Sequence, residues 1–291
     1  MSVKIDSLCV IGLGLIGGSL AAALRSANPS LKLIAIDRDA DTLRSAKSSG
    51  LIDQGYTSVG ELSDIPQVAV VAVPVAAMRT VFAEIKPWFQ HCLAITDVGS
   101  TKQSVLDDLS SVLSPEQSSC FVPGHPIAGR EQSGLAAALS DLFQGRRVIL
   151  TPTEKTRTKS TAIVSQLWQQ VGAEVEELSP HEHDEILAAT SHLPHALAFS
   201  LVRCLMQKHD GQEIFRYAAG GFADFSRIAS SDPALWRGIC LANKDALLRA
   251  INLFEEQLSE LKSNLETADG DALKTMFLMA NTAFRPGYAA D

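Results

Sequence analysis

One histidine in this chain sits between stiff and small residues, in Pro123-Gly124-His125-Pro126-Ile127-Ala128-Gly129. It follows Cys120-Phe121-Val122, which reads as a strand, so two prolines and two glycines hold a single imidazole at a strand end. Neutral imidazole accepts a proton near physiological pH, and His125 is read as a general base instead of a core histidine. Asp97-Val98-Gly99-Ser100-Thr101-Lys102, after another apolar run, places a hydroxyl and an ammonium at the mouth of the cleft. Ser100 there is either a hydroxyl at the mouth of a cleft or the N-cap of the next helix. Ser191-His192-Leu193-Pro194-His195 puts two imidazoles three apart on one helical face, with Pro194 kinking or restarting the helix and re-aiming His195. No HExxH occurs and no cysteine pair lies nearby, so no metal is expected. Arg227, in Gly220-Gly221-Phe222-Ala223-Asp224-Phe225-Ser226-Arg227-Ile228-Ala229, is either a salt-bridge partner or a planar fork for a carboxylate.

Such groups need a scaffold and a reaction partner, and both are written near the start of the chain. Val10-Ile11-Gly12-Leu13-Gly14-Leu15-Ile16-Gly17 is an apolar strand, a glycine turn and a helix start. Gly12 makes the turn, Gly14 lets a pyrophosphate approach the backbone, and Gly17 lets the helix lie close on the strand. The pyrophosphate would rest on the free N–H groups of Leu15, Ile16 and their neighbours. A glycine turn alone is weak evidence, but Lys32-Leu33-Ile34-Ala35-Ile36-Asp37 follows as a second strand with an acid twenty positions beyond Gly17. Asp37 would take the adenine ribose hydroxyls and favours NAD; Arg38 could accept a 2′-phosphate and keeps NADP open. Val73-Pro74 ends a further strand where the nicotinamide half would pass, or is only a proline closing that strand.

The remaining strands are 68–73, 92–97, 120–122, 147–150 and 174–178, alternating with helical segments. That pattern predicts a doubly wound, mostly parallel sheet of the Rossmann type over residues 1–178. From Ser179-Pro180 onward the sequence offers only helical periodicity, over 185–208, 212–219, 233–257, 258–265 and 272–283. Residues 179–291 are therefore expected to form an all-α domain. Its helices are apolar around much of their circumference, as expected of helices buried on more than one side, which favours a homodimer packed through them.

The 291 residues carry a formal net charge of −8, with 46% hydrophobic and 20% charged residues. No stripe of Lys and Arg suits nucleic acid, and no apolar run approaches membrane-spanning length. The first strand begins almost at once, so no signal peptide is expected and the protein is read as cytoplasmic. Cys9, Cys92, Cys120, Cys204 and Cys240 are odd in number and widely spaced, which argues for small core hydrophobes over disulfides or zinc ligands.

The chain resembles the prephenate and arogenate dehydrogenases, the cyclohexadienyl dehydrogenases of tyrosine synthesis. The resemblance rests on six segments in the family's order: GLGLIGGS from Gly12, DVGSTK from Asp97, GHPIAGRE from Gly124, SHLPH from Ser191, GGFADFSRIA from Gly220 and DPALW from Asp232. It implies NAD-dependent oxidative decarboxylation of prephenate to 4-hydroxyphenylpyruvate, with arogenate, giving tyrosine, as the alternative substrate. It further implies that His125 draws the proton from the ring hydroxyl while Ser100 orients both. By the same resemblance Arg227 pairs with the ring carboxylate, and His195 and Glu131 line the pocket near the side chain. His183 and Trp236 match further pocket positions, and Asp224 matches a gate on access. Whether Trp236 serves its own chain or reaches across to a partner subunit stays open. Neither a fused mutase nor an ACT domain is expected, so any inhibition by tyrosine should act at the active site.

Two other readings compete. Dehydrogenases of the 3-hydroxyacid or 6-phosphogluconate kind share this architecture but use a lysine base, for which Lys102, Lys208 and Lys244 are the nearest candidates. A nicotinamide-sensing binding protein without catalysis is the other; the joint presence of Ser100, His125, His195 and Arg227 weighs against it.

Overall fold

The computed structural model describes residues 4–130, 132–207, 216 and 219–283. Glu131, and most of the helix expected over 212–219, lie outside the described residues. The chain divides into two compact units, Met1–Lys244 and Asp245–Asp291.

Strands β1 (Ser7–Ile11), β2 (Lys32–Ile36), β3 (Gln54–Tyr56), β4 (Val68–Val71), β5 (Ala94–Asp97) and β6 (Phe121–Val122) form one sheet in the order β3-β2-β1-β4-β5-β6. Every neighbouring pair is parallel. Side chains alternate between the two faces, and both faces are covered: Leu8, Val10, Val68 and Val70 enter one core, Cys9, Ile11, Ala69 and Val71 the other. Double burial explains why these strands read as unbroken apolar runs, each fully buried Val or Leu contributing roughly 1.5–3 kcal/mol. Helices α1 (Leu15–Ala27), α2 (Ala40–Ser48), α3 (Met78–Glu84), α4 (Gln103–Ser110) and α5 (Thr158–Gln170) complete this layered body.

The register aligns the strand ends that matter. Ile11 pairs with Ile36 and Val71, and Val71 with Asp97. The residues that follow, Gly12, Asp37, Ala72 and Val98, therefore emerge along one edge. The strand order reverses between β1 and β4, and ligands of open parallel sheets bind in the crevice at such a switch point.

Two parts of the expected sheet lie elsewhere. β8 (Arg147–Leu150) and β9 (Glu174–Glu177) form a second, three-stranded sheet with β7 (Gly124–Pro126), β7 antiparallel to β8 and β9 parallel to it. His125 is thus not at a free strand end: it sits inside β7, opposite Ile149. Pro123, which has no N–H to donate, separates β6 from β7, and its carbonyl accepts from Thr151 N at 2.9 Å.

The helical stretch begins earlier than expected and is more broken. α6 (Pro180–Leu187) starts on a capping box, Ser179 Oγ accepting from Glu182 N while the Glu182 carboxylate accepts from Ser179 N. One π-helical turn, Ala188–His192, leads into α7 (Leu193–Met206), so Pro194 falls at a helix start where a missing N–H is harmless. α8 (Gly220–Ser226) and a 3₁₀ turn, Arg227–Ser230, precede α9 (Pro233–Ala242). The helix expected over 233–257 is interrupted at Asn243, whose side chain makes tertiary hydrogen bonds, and the pieces expected as 243–257 and 258–265 run together as α10 (Lys244–Glu266).

The second unit, by itself, consists of most of α10 and of α11 (Gly270–Ala283). Burial on more than one side is not met within a single chain here, because Leu253, Leu258, Leu265, Phe277, Leu278 and Met279 are all exposed. Of the cysteines, Cys9, Cys92 and Cys120 are buried as expected, but Cys204 is exposed and Cys240 only partly covered; all are free thiols. Among the described residues no helix is long and apolar enough to cross a membrane.

Candidate active site

His125 leads a chain of buried polar groups. Its Nδ1 lies 2.8 Å from Nε2 of His183, and Nδ1 of His183 lies 2.8 Å from Oδ1 of Asp184. Asp184 in turn closes the start of α4: Oδ1 accepts from Lys102 N at 2.8 Å and Oδ2 from Gln103 N at 2.9 Å. These are the orphan amides of a helix N-terminus, satisfied by a carboxylate 82 residues away in sequence. The cap reading of Ser100 is thereby displaced, and the partly exposed Ser100 sits beyond β5 at the carboxyl edge.

Lys102 corrects a second expectation. Its ammonium is not at a cleft mouth but fully buried, 2.5 Å from Asp97 Oδ2 and 2.7 Å from the Gly124 carbonyl. Asp97 also accepts from Gly99 N and Gly124 N, so the pair ties β5 to β7 directly beneath His125. Burial pulls the Lys102 pKa down while Asp97 opposes the shift.

Burial is also the main reason that His125 titrates well below the usual histidine value, with His183, Lys102 and His192 adding unfavourable charge. Its imidazole is neutral at physiological pH. Burial likewise lowers His183, against the hydrogen bond it donates to Asp184, and takes His192 to about 4. Burial works to raise Asp184, but the hydrogen bonds from His183, Gln103 and Lys102 hold its carboxyl below the usual range. Asn243 Nδ2 donates to the Asp184 carbonyl at 2.8 Å and lies 3.1 Å from His192 Nδ1.

His195 forms a neighbouring wall. Its Nδ1 donates to the Ser191 carbonyl at 2.9 Å, and its ring stacks on Trp236 of the same chain with centroids 3.6 Å apart. His192 meets the same indole edge-on. Burial lowers the His195 pKa against its bond to the Ser191 carbonyl, and the positive charge of Arg227, whose turn packs on α7, lowers it further. Arg227 opens the exposed 3₁₀ turn after α8, and Asp224 is exposed on α8 itself. His183, expected at a pocket position, has a fully buried side chain whose Nε2 faces His125.

Two family models match nearly the whole chain: "Prephenate dehydrogenase, nucleotide-binding domain" over residues 20–177 and "Prephenate dehydrogenase, dimerization domain" over 179–279. The chain belongs to the prephenate dehydrogenase family. A prephenate dehydrogenase of Bacillus subtilis is 38% identical, over 94% of this chain and 74% of its own length. The cyclohexadienyl dehydrogenase of Zymomonas mobilis is 35% identical, over 93% of this chain and 92% of its own. In structure, the prephenate dehydrogenase of A. aeolicus in complex with hydroxyphenyl propionate and NAD+ superposes with a TM-score of 0.89 at 36% identity, covering 97% of this chain and 99% of that one.

As a member of an NAD-dependent oxidoreductase family, the chain should present a dinucleotide cradle, and the residues at the β1 end fit one. Gly12 has φ +98°, and a Cβ there would lie 2.6 Å from the Ala72 carbonyl and 3.2 Å from Val73 Cγ1. At Gly17 a Cβ would come within 2.0 Å of the Gly12 carbonyl, so α1 rests directly on the turn. A Cβ at Gly14 would meet nothing within 4 Å, leaving open space where a pyrophosphate needs it. Gly14 caps α1 with no side-chain hydrogen bond, so the first amides, those of Leu15, Ile16 and Gly17, have no side-chain cap. Asp37 is fixed at the β2 end, Oδ2 accepting from Leu13 N at 2.7 Å and Oδ1 from Asp39 N at 2.9 Å. Each carboxylate oxygen keeps a second acceptor direction. Arg38 and Pro74 are exposed at the same edge.

Sequence reading missed Asp184, Asn243 and the Asp97–Lys102 pair as parts of this site. The dipeptide His183-Asp184 was the one local signal, since an acid beside an imidazole near a helix start is a recurrent way of fixing a ring.

Proposed function

We propose that this chain is a prephenate dehydrogenase that oxidises and decarboxylates prephenate to 4-hydroxyphenylpyruvate, with His125 as the general base. The observation that carries the assignment of the base is a buried, neutral imidazole on β7, tied through Gly124 to Asp97 at the end of β5, in register with the strand end that carries the dinucleotide turn. His125 takes the proton of the ring hydroxyl, and Ser100 orients that hydroxyl. NAD, when bound in the Gly12–Gly17 cradle, supplies the acceptor for the hydride. Once the carbinol is a ketone, the bond to the ring carboxylate breaks, its electron pair enters the ring, and carbon dioxide leaves an aromatic phenolate, which takes the proton back from His125 to give the phenol. Arg227 holds that carboxylate without protonating it, beside the His195–Trp236 stack, while Glu131 serves the side-chain end and Asp224 the entrance. Aromatisation supplies the driving force, so the protein needs to position and deprotonate more than to activate. The negative charge of Asp37 opposes a 2′-phosphate and supports NAD over NADP.

Residues 1–178 would form the NAD-binding part and 179–291 the substrate-binding and dimerisation part. The exposed Leu253, Leu258, Phe277 and Met279 are the surface that a second copy would cover, and the family description of this region agrees. Sedimentation equilibrium is expected to give a dimer, and a monomer at micromolar concentration would overturn the homodimer. Five free thiols suit a reducing cytoplasm.

The functional test is initial velocity on prephenate and on arogenate, each with NAD and with NADP. Prephenate with NAD is expected to give the largest rate, and tyrosine to inhibit competitively with prephenate at the same site. No reduced cofactor in any of the four mixtures would overturn the reading, and inhibition noncompetitive with prephenate would overturn the placement of tyrosine.

A further inference from the structure

We infer that Asp184, acting through His183, is a positioning residue that sets the tautomer of His125 and so decides which of its nitrogens is the base. Donors and acceptors alone fix this order, given His125 as the base. An ionised carboxylate only accepts hydrogen bonds, and Asp184 already accepts two main-chain amides that have no other role than to donate. The 2.8 Å contact to His183 therefore places a proton on His183 Nδ1. A neutral His183 then presents a lone pair at Nε2, and the 2.8 Å contact to His125 requires the proton on His125 Nδ1. That leaves His125 Nε2, on the opposite side of the ring, as the lone-pair nitrogen that faces away from His183. Without this chain of bonds the two tautomers of His125 would be close in energy and part of the enzyme would carry its proton where the base must be bare. Burial of all three groups excludes water that could scramble the order: His183 is fully covered, Asp184 5% exposed and His125 8%.

On this inference His183 serves His125, and Asp184 serves His183. Replacing Asp184 by Ala removes the acceptor that fixes the proton on His183 Nδ1, and the chain loses its direction. In the Ser-His-Asp triad, loss of the correct tautomer costs ~10⁴ in kcat; with one more ring in the relay, a loss of about 10²-fold is expected here.

The test is a long-range ¹H–¹⁵N correlation spectrum of the ¹⁵N-histidine-labelled protein, with the His125 signals assigned from His125→Asn. The wild type is expected to show His125 protonated at Nδ1 and bare at Nε2. In Asp184→Ala that preference is expected to be lost, with kcat on prephenate reduced while KM and the Kd for NAD hold. Because Asp184 also caps α4, His183→Gln and His183→Leu supply a second comparison that leaves the cap in place. The Gln carbonyl can still accept from His125 Nδ1 and is expected to keep the tautomer and most of kcat, whereas Leu is expected to lose both. A wild-type His125 protonated at Nε2, or equal kcat in the Gln and Leu variants, would overturn the inference. A wild type with the expected tautomer but no turnover of prephenate would instead overturn the proposed function and leave the relay standing.

Discussion

His125→Asn is expected to lower kcat on prephenate by about 10²–10⁴, the usual contribution of a positioned general base, with little change in the Kd for NAD. Asn is the right replacement because its amide nitrogen falls near the position of imidazole Nδ1 and can still donate to His183, so β7 and its pairing with β8 should survive. The pH profile of the unmodified enzyme is the companion measurement. Protonated imidazole cannot accept the hydroxyl proton, so kcat/KM must fall as pH drops through the His125 pKa of the free enzyme. Burial displaces that pKa well below the usual histidine value, which moves the acid limb down and leaves kcat/KM level from about pH 6.5 upward. A level profile that survives in His125→Asn with turnover intact would place the base elsewhere and revive a lysine mechanism.

Much of the scaffold was legible because local and tertiary demands agree there. β1, the glycine turn, α1 and Asp37 follow one another in sequence and meet in space, and every feature of that unit is set by its own residues. The doubly covered strands announce themselves as apolar runs for the same reason. Where reading failed, the deciding partner is far away in the chain. Nothing near Lys102 says that its ammonium is buried, since the acid that pairs with it also holds Gly124 of another strand. The start of α4 shows no cap in its own sequence, because the cap is Asp184. Asn243 breaks a helix that local periodicity would continue, because its amide has better partners in Asp184 and His192. A different failure occurs at α6, where Ser179-Pro180-His181-Glu182 is a complete local start signal that periodicity alone placed too late.

The lysine alternative meets its sharpest test at Lys102. Lys102→Met is expected to destabilise the fold by about 3–5 kcal/mol, because it leaves the fully buried Asp97 carboxylate without its cation. Asp97 would keep its bonds from Gly99 N and Gly124 N, but the charge would remain uncompensated in a water-free interior. Adding Asp97→Asn should recover much of the loss, since a neutral pair of similar shape no longer carries a buried charge, and a double-mutant cycle on urea midpoints measures the coupling. The same variants report on catalysis. Lys102 contributes one of the positive charges that disfavour imidazolium at His125, so removing it raises the His125 pKa and moves the acid limb of kcat/KM to higher pH. Above that limb, turnover in the folded fraction should persist. Loss of kcat at every pH, in a protein of undiminished stability, would instead mean that the ammonium itself takes part in the reaction, which its burial against Asp97 and the Gly124 carbonyl argues against.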